Sequence, residues 1–397
     1  MNLAALISAY HDAEAPDAGL RATLPLAGRT LLERQARLAA SAGASPIILF
    51  VERIPPELLA AIERLRNEGV KVGIARTAAE AAEAVHADDR LLLMADGFVA
   101  DEVHVSRLVD AGPNSLLTLP DLGVDERFER IDAQSRWAGL ALLTGQMLKH
   151  TAPMLQDWDL QSTLLRRAVQ SGARQFSVRG EIADAHLTIV TGRVDLLQIE
   201  KQILEGAVAR RDSWTSRYLL GPAEQWATRL LMPTVVMPEW LRILAVVLTA
   251  AAAVLFASRW LWLGGILLLL STPLDDVADR LAMLRMQRIR EGSWWSYLLP
   301  ATAGAALMSL AYALAGTLGW GCLPVAAACL GFLAALWIEV GRREVEGMIF
   351  LAERKGMTWL MLPFALTGSW LAGLFALTFY AAGSFFWAQH QVHRRTS

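Results

Sequence analysis

Apolar positions follow one rhythm in the first half of the chain and another in the second. Through residues 1–205, short apolar runs alternate with segments whose apolar residues recur every third or fourth position. The runs predict strands at Leu3–Ser8, Pro46–Val51, Lys71–Ala75, Arg90–Ala95, Ser115–Leu119, Phe128–Asp132, Gly139–Leu143 and Gln175–Val178. The periodic segments predict helices at Thr30–Ala42, Pro56–Asn67, Ala78–Val85, Asp101–Asp110, Gly145–Met154, Leu160–Ser171 and Val194–Ala209. That alternation predicts a mostly parallel sheet covered on both faces. Farther on the runs lengthen. Ile243–Ser258, Trp260–Leu274, Ser296–Ile338 and Gly356–His393 carry no Asp, Glu, Lys or Arg. A bilayer core of about 30 Å takes roughly 20 apolar residues. The two longest stretches are therefore read as helical hairpins, turning near Gly316–Gly319 and Thr367–Ser369. Six spans are predicted, at 240–257, 260–282, 297–316, 320–338, 348–367 and 370–389. Before them, Trp214–Trp240 interleaves Trp214, Tyr218, Leu219, Leu220, Trp226, Leu230 and Leu231 with Arg217 and Arg229. This predicts an amphipathic helix in the membrane interface, against the alternative of a soluble linker helix.

Composition sharpens the division. The chain has 397 residues, 54% hydrophobic and 19% charged, with a net charge of −2. Its mean hydropathy is +0.35 and its pI about 6.4. Of the charged residues, 53 lie in Met1–Gly221 and 23 in Pro222–Ser397, whereas 12 of the 14 tryptophans lie between Trp214 and Trp387. A purely soluble protein, a disordered one and a polycationic nucleic-acid binder are excluded. The N-terminus lacks a basic region before Leu3–Ser8, so no signal peptide is predicted. Arg280, Arg285, Arg288, Arg290, Arg342, Arg343, Arg354, Lys355, Arg394 and Arg395 flank alternate span ends. Only Arg259 lies opposite, so both termini are predicted to be cytoplasmic in an integral inner-membrane protein. Cys322 and Cys329, seven residues apart on one helix, are about 10 Å apart along its axis, too far for a disulfide.

Three carboxylates, Asp275, Asp276 and Asp279, stand at the end of the second span. Carboxylates there are costly unless they line a polar cavity, bind metal or pair with arginine. Arg280, Arg285, Arg342 and Arg343 are the pairing candidates. The segment resembles the CDP-alcohol phosphotransferase family, whose signature is D-x2-D-G-x2-A-R-x8-G-x3-D-x3-D. With Asp275 as the first Asp, Ala282 and Gly292 keep the spacing, and Gly292–Pro300 resembles the run that closes the signature. The other positions hold Ala278, Asp279, Met283, Ser296 and Pro300. The alternative register, on Asp276 and Asp279, recovers two aspartates and loses Ala282 and Gly292. The resemblance implies Mg²⁺ or Mn²⁺ on Asp275, Asp276 and Asp279, one of them a base, and transfer of a phospho-alcohol from a CDP-activated donor. Ser296 is a poor ligand for a hard cation and Pro300 offers no side-chain oxygen.

The first half carries a second resemblance. Leu24-Pro-Leu-Ala-Gly-Arg-Thr-Leu-Leu-Glu-Arg-Gln35 resembles sugar nucleotidyltransferases of the GT-A-like, MobA-like type. By that resemblance Asp96, after Leu91–Ala95, lies where a metal-binding Asp is found, and Arg21 stands where a phosphate-contacting Lys is expected. The alternative for Asp96 is a strand-end or capping residue. No glycine-rich phosphate loop follows the first strand, and no Asp stands near Val190 as second ligand; Asp184 comes too early. Asp195-Leu196 resembles the helix start beyond that ligand. His11, His86, His104, His150 and His186 are scattered and are assigned no role.

The order of the halves resembles the bifunctional inositol-1-phosphate cytidylyltransferase/di-myo-inositol phosphate phosphate synthase type. The fold expected is an α/β nucleotidyltransferase-like (GT-A/Rossmann-like) domain at 1–210, an interfacial linker helix at 211–238, and an all-α six-helix transmembrane bundle of CDP-alcohol phosphotransferase type at 239–397. The function expected is that of a divergent member of that family, in phospholipid or phospho-polyol synthesis, with its metal aspartates largely lost. The alternative is a catalytically silent protein that binds nucleotide or lipid or scaffolds an active paralogue. An active cytidylyltransferase on a membrane anchor is a third reading. The partners expected are the lipid bilayer, a CDP-alcohol or nucleotide ligand and a second copy through the membrane half, with no nucleic acid.

Overall fold

The structure is a computed structural model that describes residues 2–14, 19–121, 127–155, 159–178, 186–209, 213–232, 234, 236–286, 295–340 and 348–394. Gly292, Arg288, Arg290, Trp294, Asp184, Arg342, Arg343 and Arg395 lie outside the described residues. The chain divides into two compact units, Met1–Gln202 with Arg285–Gln287, and Ile203–Leu284 with Arg288–Ser397. The division falls before residue 210, inside a helix.

The first unit is a mixed α/β sheet. Its elements in chain order are β1 (Leu3–Ser8), β2 (Pro25–Leu26), β3 (Arg29–Thr30), α1 (Leu31–Ser41), β4 (Ile47–Phe50), α2 (Pro56–Asn67), β5 (Val72–Ala75), α3 (Ala78–Glu83), β6 (Arg90–Met94), β7 (Phe98–Ala100), α4 (Glu102–Ala111), β8 (Ser115–Pro120), β9 (Ser135–Thr144), α5 (Gly145–Thr151), α6 (Leu160–Gln170), β10 (Arg174–Ser177), β11 (Leu187–Ile189) and α7 (Arg193–Ala209). The main sheet runs β10-β8-β9-β6-β1-β4-β5. β1 lies parallel to β4 and β6, with Leu6 opposite Ile48 and Leu93; β9 runs antiparallel to β6 and β8. β1 is buried along its whole length, as a central strand covered on both faces must be.

Two expectations change. Phe128–Asp132 forms no strand and is limited to an isolated bridge between Arg130 and Arg136. The ladder at that edge belongs to β9, which begins at Ser135 rather than Gly139. β7 and β11, too short for a periodic signal, pair as a separate two-stranded sheet.

The Leu24–Gln35 motif folds as the β2–β3 hairpin followed by α1. Its turn is made by Ala27 and Gly28, with φ of 54° and 77°. Thr30 and Glu33 then form a reciprocal cap: Glu33 N donates to Thr30 Oγ1 at 3.2 Å and Thr30 N to Glu33 Oε2 at 2.9 Å. Glu33 is buried, and Arg64 donates to it at 2.9 and 3.0 Å. Burial works to raise its carboxyl, but Arg64, the Thr30 amide and Arg37 outweigh this and hold it below the usual range. Arg285 belongs to this unit, where its Nε donates to the Ala27 carbonyl at 3.1 Å.

The second unit is helical. A short π-helical turn, Ser216–Leu220, leads into α8 (Gly221–Leu231), followed by α9 (Pro238–Ala257), α10 (Leu261–Leu284), α11 (Trp295–Leu318), α12 (Cys322–Val340), α13 (Arg354–Leu366) and α14 (Trp370–Arg394). Five of these, α9 to α12 and α14, are long and apolar enough to cross a membrane. Their outward faces carry Val247, Val254, Ile266, Leu270 and Phe379, as lipid-facing helices do. The span expected at 348–367 is instead a 3₁₀ turn, Met348–Phe350, and the 13-residue α13. Thirteen residues rise about 20 Å, short of a 30 Å core. Glu353, Arg354 and Lys355 fix its start, and Gly368, at φ 72°, follows its end.

α10 runs unbroken through Pro273. Pro273 has no N–H for the Leu269 carbonyl. The Thr272 hydroxyl donates to that carbonyl at 2.7 Å, while Ser271 donates to Leu268 O at 2.7 Å. α8 is amphipathic with its polar side inward: Glu224 and Thr228 are buried, while Tyr218, Trp226 and Leu230 are exposed. Cys322 and Cys329 are both free thiols.

Candidate functional site

In the first unit, β1 and β6 are parallel neighbours, and the chain turns from β1 toward β4 on the opposite side. Open α/β sheets leave a ligand crevice at the carboxyl ends of strands where the order reverses in this way. The residues at those ends are Tyr10 and His11 after β1, and Asp96 after β6. Asp96 is 3% exposed. Its Oδ2 accepts from Tyr10 N at 3.0 Å and His11 N at 2.8 Å, with His11 Nδ1 at 3.4 Å. Its Oδ1 is buried and has no hydrogen-bond partner among the described residues. Asp96 thus braces the loop after β1 with one oxygen, while the other is buried. Tyr10 extends the site, donating its phenol to Asp159 Oδ1 at 2.6 Å. Burial and then Asp159 push that phenol well above the usual tyrosine range. Asp159 also caps α6 through Ser162 N at 2.8 Å, and Ser162 donates to Glu129 at 3.1 Å. Burial raises the Glu129 carboxyl.

The other nucleotide candidates go elsewhere. Arg21 Nε donates to the Asp12 carbonyl at 3.1 Å, closing the loop that the Asp12–Leu20 bridge begins. Val190 is fully buried, and its N–H donates to Gly97 O at 2.9 Å, next to Asp96. A Cβ on Gly97 would meet the Val190 carbonyl at 2.4 Å, so these segments are in direct contact. The Val190 backbone therefore lies against Gly97, the residue after Asp96. Asp195 accepts from Thr191 N and Oγ1, each at 3.0 Å, and pairs with Arg127 at 3.3 Å.

In the second unit the aspartates of α10 do meet other polar groups. Asp275 pairs with Arg354 at 3.6 Å, Asp276 with Lys355, and Asp279 with Arg242. Ser216 donates to Asp276 Oδ2 at 2.6 Å. A fourth carboxylate joins them. Glu224 of α8 is fully buried, pairs with Arg280 at 2.5 Å and lies against Asp276. Burial first, and then Asp276, push the Glu224 carboxyl up to about 7 in spite of Arg280. Arg354 also donates to Ser271 Oγ at 2.9 Å, and Trp359 Nε1 to Thr272 Oγ1 at 3.2 Å, which fastens α13 to α10 just before Pro273. The cluster comprises four ion pairs, each carboxylate with its own cation.

Arginine pairing was thus one of the expected alternatives, but with other partners. Arg280 goes to Glu224, Arg285 to the Ala27 carbonyl, and Arg242, Arg354 and Lys355 take the aspartates. Glu224 was missed because it sits outside the signature. Its signal was present: Gly221, Glu224 and Thr228 share the face of α8 opposite Trp226 and Leu230. Ser296 and Pro300 both lie in α11, with Pro300 inside the helix.

A hard divalent cation needs several oxygen ligands free of competing charge. Asp96 alone, beside Val190, does not supply them, and neither do aspartates already bonded to guanidinium or ammonium groups. Among the described residues no group of three or more His, Cys, Asp or Glu is disposed to hold a metal ion. The donor sets present do not fit Mg²⁺ or Mn²⁺.

No family model matches the chain, and no curated protein matches it. Among solved structures, the chain is similar to a nucleotidyl transferase from Methanothermobacter thermautotroptrophicus, with a TM-score of 0.38 and 17% identity over 52% of this chain and 99% of that one.

Proposed function

We propose that the chain is an integral-membrane protein of CDP-alcohol phosphotransferase layout that holds a nucleotide-type ligand and does not perform the family's metal-dependent transfer. The observation that carries this reading is that Asp275, Asp276 and Asp279 each engage a cation of the chain itself. Transfer between a diphosphate and an alcohol needs a metal on the phosphates and a base for the hydroxyl. A carboxylate bonded to Arg or Lys is poorly placed to supply either. In the first unit, the buried Oδ1 of Asp96 is an acceptor suited to a ribose hydroxyl or an exocyclic amine. On this reading α13 is the shortened fifth member of a six-helix bundle. Both termini face the cytoplasm of an inner-membrane protein, α8 lies in the interface, and two copies associate through the membrane half.

The test is purified full-length chain in nanodiscs with Mg²⁺ or Mn²⁺ and a panel of CDP-alcohols. No CMP release is expected, nor any pyrophosphate release from CTP. Cytidine nucleotides are expected to bind, with binding lost in Asp96→Asn. CMP release abolished by Asp276→Asn would overturn the reading in favour of a divergent transferase. The observation favouring that second reading is the Asp279–Arg242 pair, both of whose side chains are about one-third exposed and open to ligand.

A further inference from the structure

We propose that Arg259 binds the phosphate of an anionic phospholipid, at the end of the helices opposite the aspartate cluster. Arg259 lies in the turn between α9 and α10, whose other ends are joined by the Arg242–Asp279 pair. The turn is a left-handed helix cap. Arg259 N donates to Phe256 O and Trp260 N to Leu255 O, each at 2.9 Å, with φ of 65° at Arg259. Glycine is the usual residue at such a position, because a Cβ makes left-handed backbone costly. An arginine held there against that cost points to a use for its side chain.

Among the described residues the Arg259 guanidinium has no hydrogen-bond or ion-pair partner. It lies against Gly316, in the last turn of α11, where a Cβ would collide with Nη2 and come within 3.0 Å of Cζ. The turns at this end, between α9 and α10, α11 and α12, and α13 and α14, fall in stretches without Asp or Glu. The counter-charge must therefore come from outside those turns. Trp260, Trp262 and Trp320 are exposed at the same end, as rings at the headgroup level of a bilayer are. A guanidinium at that level offers phosphate a planar fork of donors and the opposite charge. An anionic headgroup brings a whole counter-charge, whereas a zwitterionic one spends its own on an attached ammonium. The carboxyl ends of α9 and α11 also meet there, and their partial negative charge favours a cation without any lipid. The variants below separate the two roles.

The proposal rests on these helices spanning a bilayer, which flotation of reconstituted vesicles checks first; nucleotide binding through Asp96 plays no part in it. Full-length chain carries a bimane fluorophore on Thr317→Cys, beside Gly316, the two native thiols being buried. It is reconstituted in dioleoylphosphatidylcholine vesicles that contain brominated phosphatidylglycerol or brominated phosphatidylcholine. Quenching is expected to show about a fivefold preference for phosphatidylglycerol, the effect of one basic residue at an anionic surface. Arg259→Gly is expected to abolish that preference and to melt no lower than the parent chain in detergent, because glycine suits the backbone there. Arg259→Lys is expected to retain it. No preference in the parent chain, or an unchanged preference in Arg259→Gly, would overturn the proposal. So would a preference lost only together with a lower melting temperature in detergent, which would assign Arg259 to the helix ends.

Discussion

Asp96 and Asp276 are both buried carboxylates, yet the two units stabilise them by different means. Asp96 lies beyond the end of a strand, where the next loop brings two unused backbone N–H groups within 2.8 and 3.0 Å. Those donors satisfy one oxygen; the other is buried with no hydrogen-bond partner among the described residues. Asp275, Asp276 and Asp279 lie within α10, where backbone N–H groups are already spent on the helix ladder. Each must therefore find a side-chain partner, and in a low-dielectric bundle that partner is a cation. A loop can thus hold an acid with backbone N–H groups, whereas a helix must hold it with side chains. In this chain that cation is arginine or lysine.

The most buried pair should break with the largest effect. Glu224 is fully buried and Arg280 nearly so, and removing one partner of such a pair costs about 3–5 kcal/mol. Arg280→Met is expected to fall in that range by chemical denaturation in detergent. Adding Glu224→Gln should restore most of the loss, because neither charge is then stranded. If the double variant is as unstable as the single one, packing rather than charge explains the loss.

The same pair gives a pH dependence. The Glu224 carboxyl titrates near 7 in the fold, above the ordinary value of about 4.3 for an unfolded chain. Between those values the folded state binds the extra proton, so stability falls as pH rises through that window. Wild type is expected to melt at progressively lower temperature from pH 5 to 7.5. Glu224→Gln should flatten that slope, whatever its effect on absolute stability. An unchanged slope would remove Glu224 as its source.

The loop-held acid should be less costly to lose. Asp96→Ala orphans the Tyr10 and His11 N–H groups, worth about 1–3 kcal/mol together. Asp96→Asn keeps an acceptor for them and is expected to cost less than half as much, while still abolishing nucleotide binding by isothermal titration. Equal binding by Asn and Asp would mean that Oδ1 is not a ligand group.

Legibility followed the same physics. The strands around β1 were readable because burial on both faces leaves continuous apolar runs, and α2 was predicted at its observed limits, Pro56–Asn67. Five spans were readable from length without charge. Phe128–Asp132 misled because Phe128 and Ile131, its two apolar residues, are too few to tell a ladder strand from an isolated bridge. α13 misled because the apolar Met348–Ala352 before Glu353 reads as part of one span, whereas Met348–Phe350 is a separate 3₁₀ turn and the helix begins only at Arg354. The aspartate cluster was visible but its partners were not. Arg242, Glu224 and Lys355 lie 37, 52 and 79 positions from their carboxylates or contacts, and no local spacing encodes such meetings.

Arg242 and Asp279 give the smallest expected effect and the sharpest control. Their charges match those of Glu224 and Arg280, and α10 carries one member of each pair at consecutive positions. Only exposure differs: about one-third of each side chain is accessible for this pair, against almost none for the other. A solvent-screened pair contributes about 0–1 kcal/mol. Arg242→Ala is therefore expected to cost less than about 1 kcal/mol, and 0.5 M salt should erase the difference from wild type because the Debye length is then only a few ångströms. The loss in Arg280→Met should persist in the same salt. If both losses vanish with salt, water reaches the whole cluster, and the contrast between helix acids held by buried cations and a loop acid held by backbone N–H groups no longer holds.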